Sequence, residues 1–412
     1  MVRPIQHCSC LQQITIKHYP EMFNKKLVFG AACAGMLLFG VGLITLGSVS
    51  ADLKQKFGLD GVTAGTLFSI LPLGILTGSL LFGPVCDRYG YRRLLAASGL
   101  IMSVGFGGIA FAGDLELLKT CIFFFGAGSG AINGATNALV ADISSTGKGA
   151  NLSILGVFFG IGALGMPVVL GLLKGRFSFE TVLTLIAVLT LALSLFILFI
   201  AFPAPKRQQG FPLKQSFSLA RDGLLVMVAF FLFLQSGFEA LVNNWTTLLL
   251  VEKFSVAETQ ALHALSLYVA GMAGMRLLTG SLFRNIDGFR ILLVSFGLIG
   301  VGLLLTRTAS TLAPTIPGLI LTGAGLAGGF PIMLGIVGHR YTRLSGTAFS
   351  FVLVIALLGN MLINYLAGLI TQHYGIRQVV NLEMAELAGM IILCLFIKRS
   401  LTHTKHLNQE LC

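Results

Sequence analysis

The feature that most constrains this chain is the succession of long apolar runs along it. Roughly twelve stretches reach the length of about 20 apolar residues that a spanning helix needs. They lie at 26–50, 61–84, 92–112, 118–142, 151–173, 179–203, 222–250, 260–283, 289–306, 315–338, 346–370 and 379–397. Backbone in hydrocarbon must satisfy its own hydrogen bonds, and runs of this length do so as helices. What is left of the 412 residues is short connections, with no room for a soluble domain. Only 11% of residues are charged and the mean hydropathy is +0.88, too little charge to cover a soluble surface. The expected class is an all-α membrane protein with twelve transmembrane helices.

An even number of crossings puts both ends of the chain on one face. The tails and the connections after spans two, four, six, eight and ten hold about nineteen Lys and Arg, among them Arg88, Arg92, Arg93, Lys206, Arg207, Lys214 and Arg221. The opposite connections hold about eight. Positive charge stays in the cytoplasm, so both termini are expected there. The longest connection, PAPKRQQGFPLKQSFSLARD from Pro203, is basic and carries three prolines. It divides the chain into a tail at 1–25, six spans at 26–203, a linker at 204–221, six spans at 222–397 and a tail at 398–412. The first tail is polar and has no signal-peptide core, so the first span is expected to target the chain. Met22 is an alternative start.

The two sets of six spans match in register. Gly40, Lys56-Phe57, Gly74, Gly83, Gly126-Ala127-Gly128, Gly162 and Gly171 are answered by Gly237, Lys253-Phe254, Gly271, Gly280, Gly323-Ala324-Gly325, Gly359 and Gly368. The offset is always 197 positions. With 51 glycines one match means little, but a constant offset through four pairs of spans marks a repeat. The expectation is two pseudo-symmetric six-helix bundles, an arrangement that places a solute near mid-membrane between them.

Between spans two and three stands GPVCDRYGYRRLL, Gly83 to Leu95. Gly90 permits a tight bend, Asp87 suits a helix N-terminus or an arginine, and Arg92 and Arg93 hold this end in the cytoplasm. The run resembles the signature loop of the major facilitator superfamily, glycine-x-x-x-aspartate-arginine-x-glycine followed by basic residues. Cys86 replaces a usual small residue and Tyr91 a common basic one. The counterpart in the second half, GSLFRNIDGFRILL from Gly280, is degenerate. The resemblance implies alternating access between two bundles and makes Gly83, Asp87, Arg88, Gly90 and Arg92 a gating motif. Within the superfamily, GAGSGAINGATNALVADI from Gly126 and NLSILGVFFGIGALGMPVVLG from Asn151 are similar to the fucose permease-like group of sugar transporters. Proton-coupled members carry acids at the places of Asn133 and about Gly47. An amide there still donates and accepts hydrogen bonds, but it carries no proton.

Polar residues inside the spans fall into stripes. Asn133 and Asn137 in span four, Gln235, Glu239 and Asn243 in span seven, and Asn360 and Asn364 in span eleven stand four apart and share a helix face. A single buried amide is ordinarily interhelical glue, at about 0.6 kcal/mol per contact. Three such stripes point to a shared polar cavity, because each must face protein or water. Asn244 and Trp245 follow one turn outward, and the sole tryptophan suits stacking on a sugar ring or anchoring at the interface. Asn133, Asn137, Gln235, Glu239, Asn243, Trp245, Asn360 and Asn364 are thus the candidate solute-binding set. Glu239 is also the candidate coupling residue, since an ionised carboxylate in mid-span costs about 2.5–3.5 kcal/mol and is rarely idle. Arg276 in span eight is its potential partner. Asp142 reads as a gate or cap residue, His263 as a packing residue, and Glu383 and Glu386 as solvated residues opening the last helix. Pro72, Pro167 and Pro331 read as kinks.

The remaining signals exclude other classes. Cys8, Cys10, Cys33, Cys86, Cys121, Cys394 and Cys412 are scattered, forming neither a disulfide framework nor a metal cluster. The net charge of +12 is spread over short loops rather than gathered in a stripe, so nucleic acid is not an expected partner. With no phosphate loop, nucleophile triad or metal-spaced carboxylates, neither an enzyme nor a cofactor is expected; any drive would come from a proton or sodium gradient. The chain reads as a monomeric, multi-pass protein of the cell (inner) membrane. Its expected work is secondary active or facilitative transport of a small polar solute, foremost a monosaccharide. The alternative is an exporter or antiporter of drugs or metabolites.

Overall fold

A computed structural model describes residues 23–144, 148–203, 221–281, 286–341 and 345–410. The tail bearing Cys8, Cys10 and Met22, linker residues 204–220, residues 282–285 of the second-half loop, and Cys412 lie outside the described residues. The first six-span half comprises α1 (Lys25–Ser48), α2 (Ser50–Phe57), α3 (Gly61–Phe111), α4 (Leu115–Ile143), α5 (Lys148–Leu173) and α6 (Phe179–Leu198). The second comprises α7 (Gly223–Phe254), α8 (Glu258–Ser281), α9 (Gly288–Thr308), α10 (Leu312–Leu326), α11 (Gly329–Arg340), α12 (Ser345–Tyr374) and α13 (Val379–Glu410). Among the described residues eleven segments are long and apolar enough to cross a membrane. One of them, α3, has 51 residues, roughly 77 Å of helix against a hydrocarbon core of about 30 Å. It breaks at Gly90, whose φ of 80° falls where only glycine sits without strain, and so crosses twice. The fold is twelve transmembrane helices in two pseudo-symmetric bundles.

Three departures from the expected boundaries are found. Span one stops at Ser48, and the short polar helix α2 follows on the face away from the Gly83–Leu95 loop. Beyond it, Asp60 caps α3 by accepting from the Thr63 backbone N at 2.8 Å, and the hydrogen bonds from Thr63 hold its carboxyl below the usual aspartate range. Span ten is two helices, because Pro331 has no N–H to give and its ring crowds the preceding turn; the break falls at Ala327 and Gly328. The last helix continues to Glu410, so most of the expected tail at 398–412 is helical.

The repeat appears in the contacts themselves. A Cβ added at Gly126 would strike the Leu71 carbonyl, and one at Gly323 would strike the Tyr268 carbonyl. Gly128 faces Ser98 and Met102, while Gly325 faces Ser295 and Ile299. Each partner in the second half stands 197 positions after its counterpart. Missing side chains at these points bring helices to backbone contact, which is where membrane helices gain dispersion energy.

Candidate functional site

The halves meet at the end remote from the Gly83–Leu95 loop. There Gly47 of α1 lies on the Asn243 carbonyl of α7, and Gly61 and Gly65 of α3 lie on Gly368 of α12. Gly171 of α5 lies under the imidazole of His263 on α8. Ion pairs close the same end: Lys54 with Glu252, and Lys174 with both Asp52 (2.7 Å) and Glu258. His263, read as a packing residue, is solvent- or lipid-exposed on one side and contacts the other half through Gly171.

Beneath this closure lies a cavity of about 880 Å³, within the size range of small-molecule sites. Its walls come from α1, α3, α4 and α5 of the first half and α7, α11 and α12 of the second. Ser79, Leu80 and Phe82 line it within a turn of Gly83, so the cavity opens towards the face that bears the Gly83–Leu95 loop. On that face Asp87, Arg88 and Arg92 are exposed. Tyr91 is buried instead, and its hydroxyl donates to Asp142 Oδ2 at 2.7 Å. The aromatic that departs from the expected pattern thereby ties α3 to the end of α4, and Asp142 serves as its acceptor.

Five of the eight candidate solute contacts reach the cavity: Asn133, Asn137, Glu239, Asn243 and Asn360. Asn137 Nδ2 donates to the carbonyl of Asn133 at 2.9 Å and to its Oδ1 at 3.1 Å. Glu239 Oε1 accepts from Gln235 Nε2 at 3.1 Å. Asn243 Oδ1 is buried without a hydrogen-bond partner, an acceptor left open beside the cavity. Arg276 lies within electrostatic reach of Glu239, but its Nε is buried and without a hydrogen-bond partner. The two do not form a direct ion pair.

Gln235, Trp245 and Asn364 do not line the cavity, which corrects the sequence reading. Gln235 is 1% exposed, and its Nε2 donates to the Leu326 carbonyl at 2.9 Å, an oxygen freed where span ten breaks. Trp245 is buried, edge-on to Phe68 with centroids 5.2 Å apart. Its Nε1 donates to Asn364 Oδ1 at 3.1 Å. Asn364 also accepts from Asn244 Nδ2 at 3.2 Å, so its oxygen serves two donors and its amide is spent as interhelical glue. Glu383 and Glu386 require the opposite correction: expected in solvent, they are buried.

The sequence reading also missed part of the wall. Phe39, Phe82, Phe159, Phe330 and Phe349 line the cavity, with Asn244, Ser79, Ser236 and Ser350 among them. Phenylalanine is equally at home facing lipid, so residue type alone carried no signal for these positions. Among the described lining residues there is one carboxyl and no Lys, Arg or His.

Residues 27–316 match the family model of the Major Facilitator Superfamily. The chain belongs to that superfamily. This major facilitator is 28% identical over 354 residues to the 3-(3-hydroxy-phenyl)propionate transporter of Escherichia coli (strain K12), covering 83% of the chain and 86% of that relative. It is 23% identical to the glucose/mannose transporter GlcP of Bacillus subtilis (strain 168), covering 93% and 96% respectively. The crystal structure of a D-xylose-proton symporter superposes with a TM-score of 0.73 at 13% identity, covering 90% of the chain and 96% of that structure. The protein is therefore a multi-pass membrane transporter of this superfamily and not an enzyme. Among the described residues, the halves are joined at the end remote from the Gly83–Leu95 loop, and Asp87, Arg88 and Arg92 are exposed at the loop end.

Proposed function

We propose that this major facilitator carries a neutral hydroxylated solute, foremost a monosaccharide, by alternating access between its halves. One observation carries the reading: the cavity joins amides from both halves to aromatic walls and offers no cationic side chain among its described lining residues. Amides pair with hydroxyls as donor and acceptor at once, and ring faces take the apolar side of a sugar. A carboxylate solute would enter with nothing to neutralise it, at a desolvation cost that an unpaired buried ion does not recover. The lining thus favours the chemistry of the glucose/mannose relative over that of the phenylpropionate relative. The glycine pattern of α4 and α5 supports the same choice through its similarity to fucose permease-like carriers. Glu239, the one acid in the wall, would couple the cycle to a proton or sodium gradient. By the positive-inside rule the loop face is cytoplasmic, as are both termini, in a cell membrane.

The five phenylalanines support a second reading, an exporter or antiporter of lipophilic drugs or metabolites. Uptake of labelled sugars into vesicles reconstituted with wild type, Asn133→Ala and Glu239→Gln separates the two. Sugar uptake that both substitutions reduce supports the first reading. Binding of lipophilic cations with no sugar movement supports the second, and sugar movement indifferent to either residue removes the proposed site.

A further inference from the structure

Two acids of the last helix are unused by the solute site, and among the described residues no cation forms an ion pair with either. Glu383 and Glu386 stand three apart on α13, on one helical face, and are 5% and 2% exposed. Both carboxylate oxygens of Glu386 lack a hydrogen-bond partner. A Cβ added at Gly237 would stand 2.6 Å from Glu386 Oε1, so this carboxyl rests on the backbone of α7, two residues from Glu239. Glu383 looks into a separate cavity of about 10 Å³, room for about one water molecule. Thr246, Thr306 and Thr322 share its wall. The hydroxyls of Thr306 and Thr322 donate to their own helices, to Gly302 O at 3.0 Å and Gly318 O at 2.9 Å. What they turn to the cavity is acceptor oxygen, suited to a protonated carboxyl or a water that carries its proton.

Access to the pair comes from the face opposite the mouth of the central cavity. Leu249 lines the small cavity and also a vestibule of about 450 Å³, so its side chain is common to the wall beside Glu383 and the wall of the vestibule. The charged and titratable groups facing the pair are few. Lys253 of α7, Arg307 of α9 and Arg377 before α13 line the vestibule, with Lys253 Nζ donating to the Thr306 carbonyl at 2.6 Å. From α8 comes the buried Tyr268 hydroxyl, which has no hydrogen-bond partner. It feels Glu239, Arg276 and Glu383 together, and α12 contributes the apolar Ile363. No cation makes an ion pair with either acid among the described residues. A mid-membrane carboxylate is costly, and two neighbouring ones do not ionise together readily.

We propose that Glu383 and Glu386 form a second proton-binding site, filled from the face opposite the solute cavity and felt at Glu239 through α7 and Tyr268. The step is protonation alone: a carboxylate oxygen gains one proton from vestibule water and returns it later. The inference rests on the carrier reading above and adds a place where its driving proton can wait.

The test is infrared titration of the purified full chain in lipid nanodiscs, read at the carbonyl band of buried carboxylic acids. Wild type, Glu239→Gln, Glu383→Gln and Glu386→Gln are compared. The expected result is a band that bleaches as pH rises, of which one part survives Glu239→Gln and is lost in Glu383→Gln or Glu386→Gln. In vesicles, both α13 variants should lose pH-gradient-driven accumulation while solute exchange persists. If neither α13 variant folds, Leu249→Ala serves instead, since thinning the wall should quicken the bleaching after a pH jump. A band that neither α13 variant changes, a pair that responds to sodium but not to pH, or bleaching that Leu249→Ala leaves unchanged overturns the proposal. If wild type moves no solute at all, the carrier reading fails, and the infrared titration still judges the pair on its own.

Discussion

In the first half α4 packs on α3 through Gly126 against Leu71; in the second, α10 packs on α8 through Gly323 against Tyr268. The contact is the same, yet an apolar leucine on one side corresponds to a phenol on the other. The pattern recurs at the same offset of 197 positions: Gly42 corresponds to Glu239, Leu38 to Gln235, and Ser79 to Arg276. In the opposite sense, Asn133 of the first half corresponds to Phe330 of the second, and both line the cavity. The halves share a scaffold and divide the chemistry. Both halves bring amides to the cavity, but the Gly83–Leu95 loop belongs to the first, while Glu239, Arg276 and Tyr268 belong to the second. A repeat preserves what packing demands, and what differs across it marks function.

The strongest way to break this comparison is to attack the shared part. Gly126→Val and Gly323→Val each drive a side chain into a backbone carbonyl, beyond the ordinary overpacking cost of about 1–3 kcal/mol. Both should lower the yield of monodisperse protein and its thermal midpoint by similar amounts. A tolerated substitution in one half alone would show that the halves do not depend on the same contact.

Next in size is the unshared part. Glu239→Gln keeps the shape and removes the charge, so solute exchange should survive while gradient-driven accumulation falls. A hydrogen bond to a charged group is worth about 1.5–3 kcal/mol, which translates to roughly ten- to a hundredfold in the initial rate of accumulation. The mirrored change, Gly42→Glu, should not restore coupling, because Gly42 packs against Met102, Ser129 and Phe125 and not against the cavity.

A smaller effect separates the amides that touch the cavity from those that do not. Asn133→Ala removes a side chain that meets the solute path, and a neutral hydrogen bond of about 0.5–1.5 kcal/mol predicts a KM raised roughly two- to tenfold. Asn364→Ala should leave KM unchanged and lower thermal stability, since it strips the partner from Trp245 Nε1 and Asn244 Nδ2.

These contrasts also show how much was legible before the structure. Twelve crossings, the repeat and its glycines could be read because hydropathy and a constant offset are properties of sequence. The cavity was half legible: spacing by four puts Asn133 and Asn137, or Gln235 and Glu239, on a common face, but it does not say what that face meets. Gln235 was misassigned because its partner, the carbonyl of Leu326, exists only where Pro331 breaks a different helix. Glu383 and Glu386 were misassigned because nearness to a helix start suggests water, and only packing shows that α7 and α9 cover them. The phenylalanine wall carried no signal at all.

The smallest expected effect concerns the contact between the halves. Gly47 and Lys174 both hold the closed end, one by shape and the other by charge. Lys54 and Glu252 are 41% and 36% exposed in their side chains, so that pair is worth about 0–1 kcal/mol. Lys174 is 25% exposed and bridges Asp52 of the first half to Glu258 of the second; without it two acids face one another. Lys174→Met should therefore favour opening of this end by up to about fivefold, since 1 kcal/mol is near that factor. The measurement is the distance between spin labels on Gln55→Cys and Gln260→Cys, both exposed positions on the two sides of the closure. Raising salt shortens the Debye length from about 10 Å at 0.1 M to about 3 Å at 1 M and should erase most of the difference from wild type. Gly47→Val, which sets a side chain against the Asn243 carbonyl, should open the same end at every salt concentration. Equal salt dependence in the two variants would show that charge, rather than backbone contact, decides which face is open.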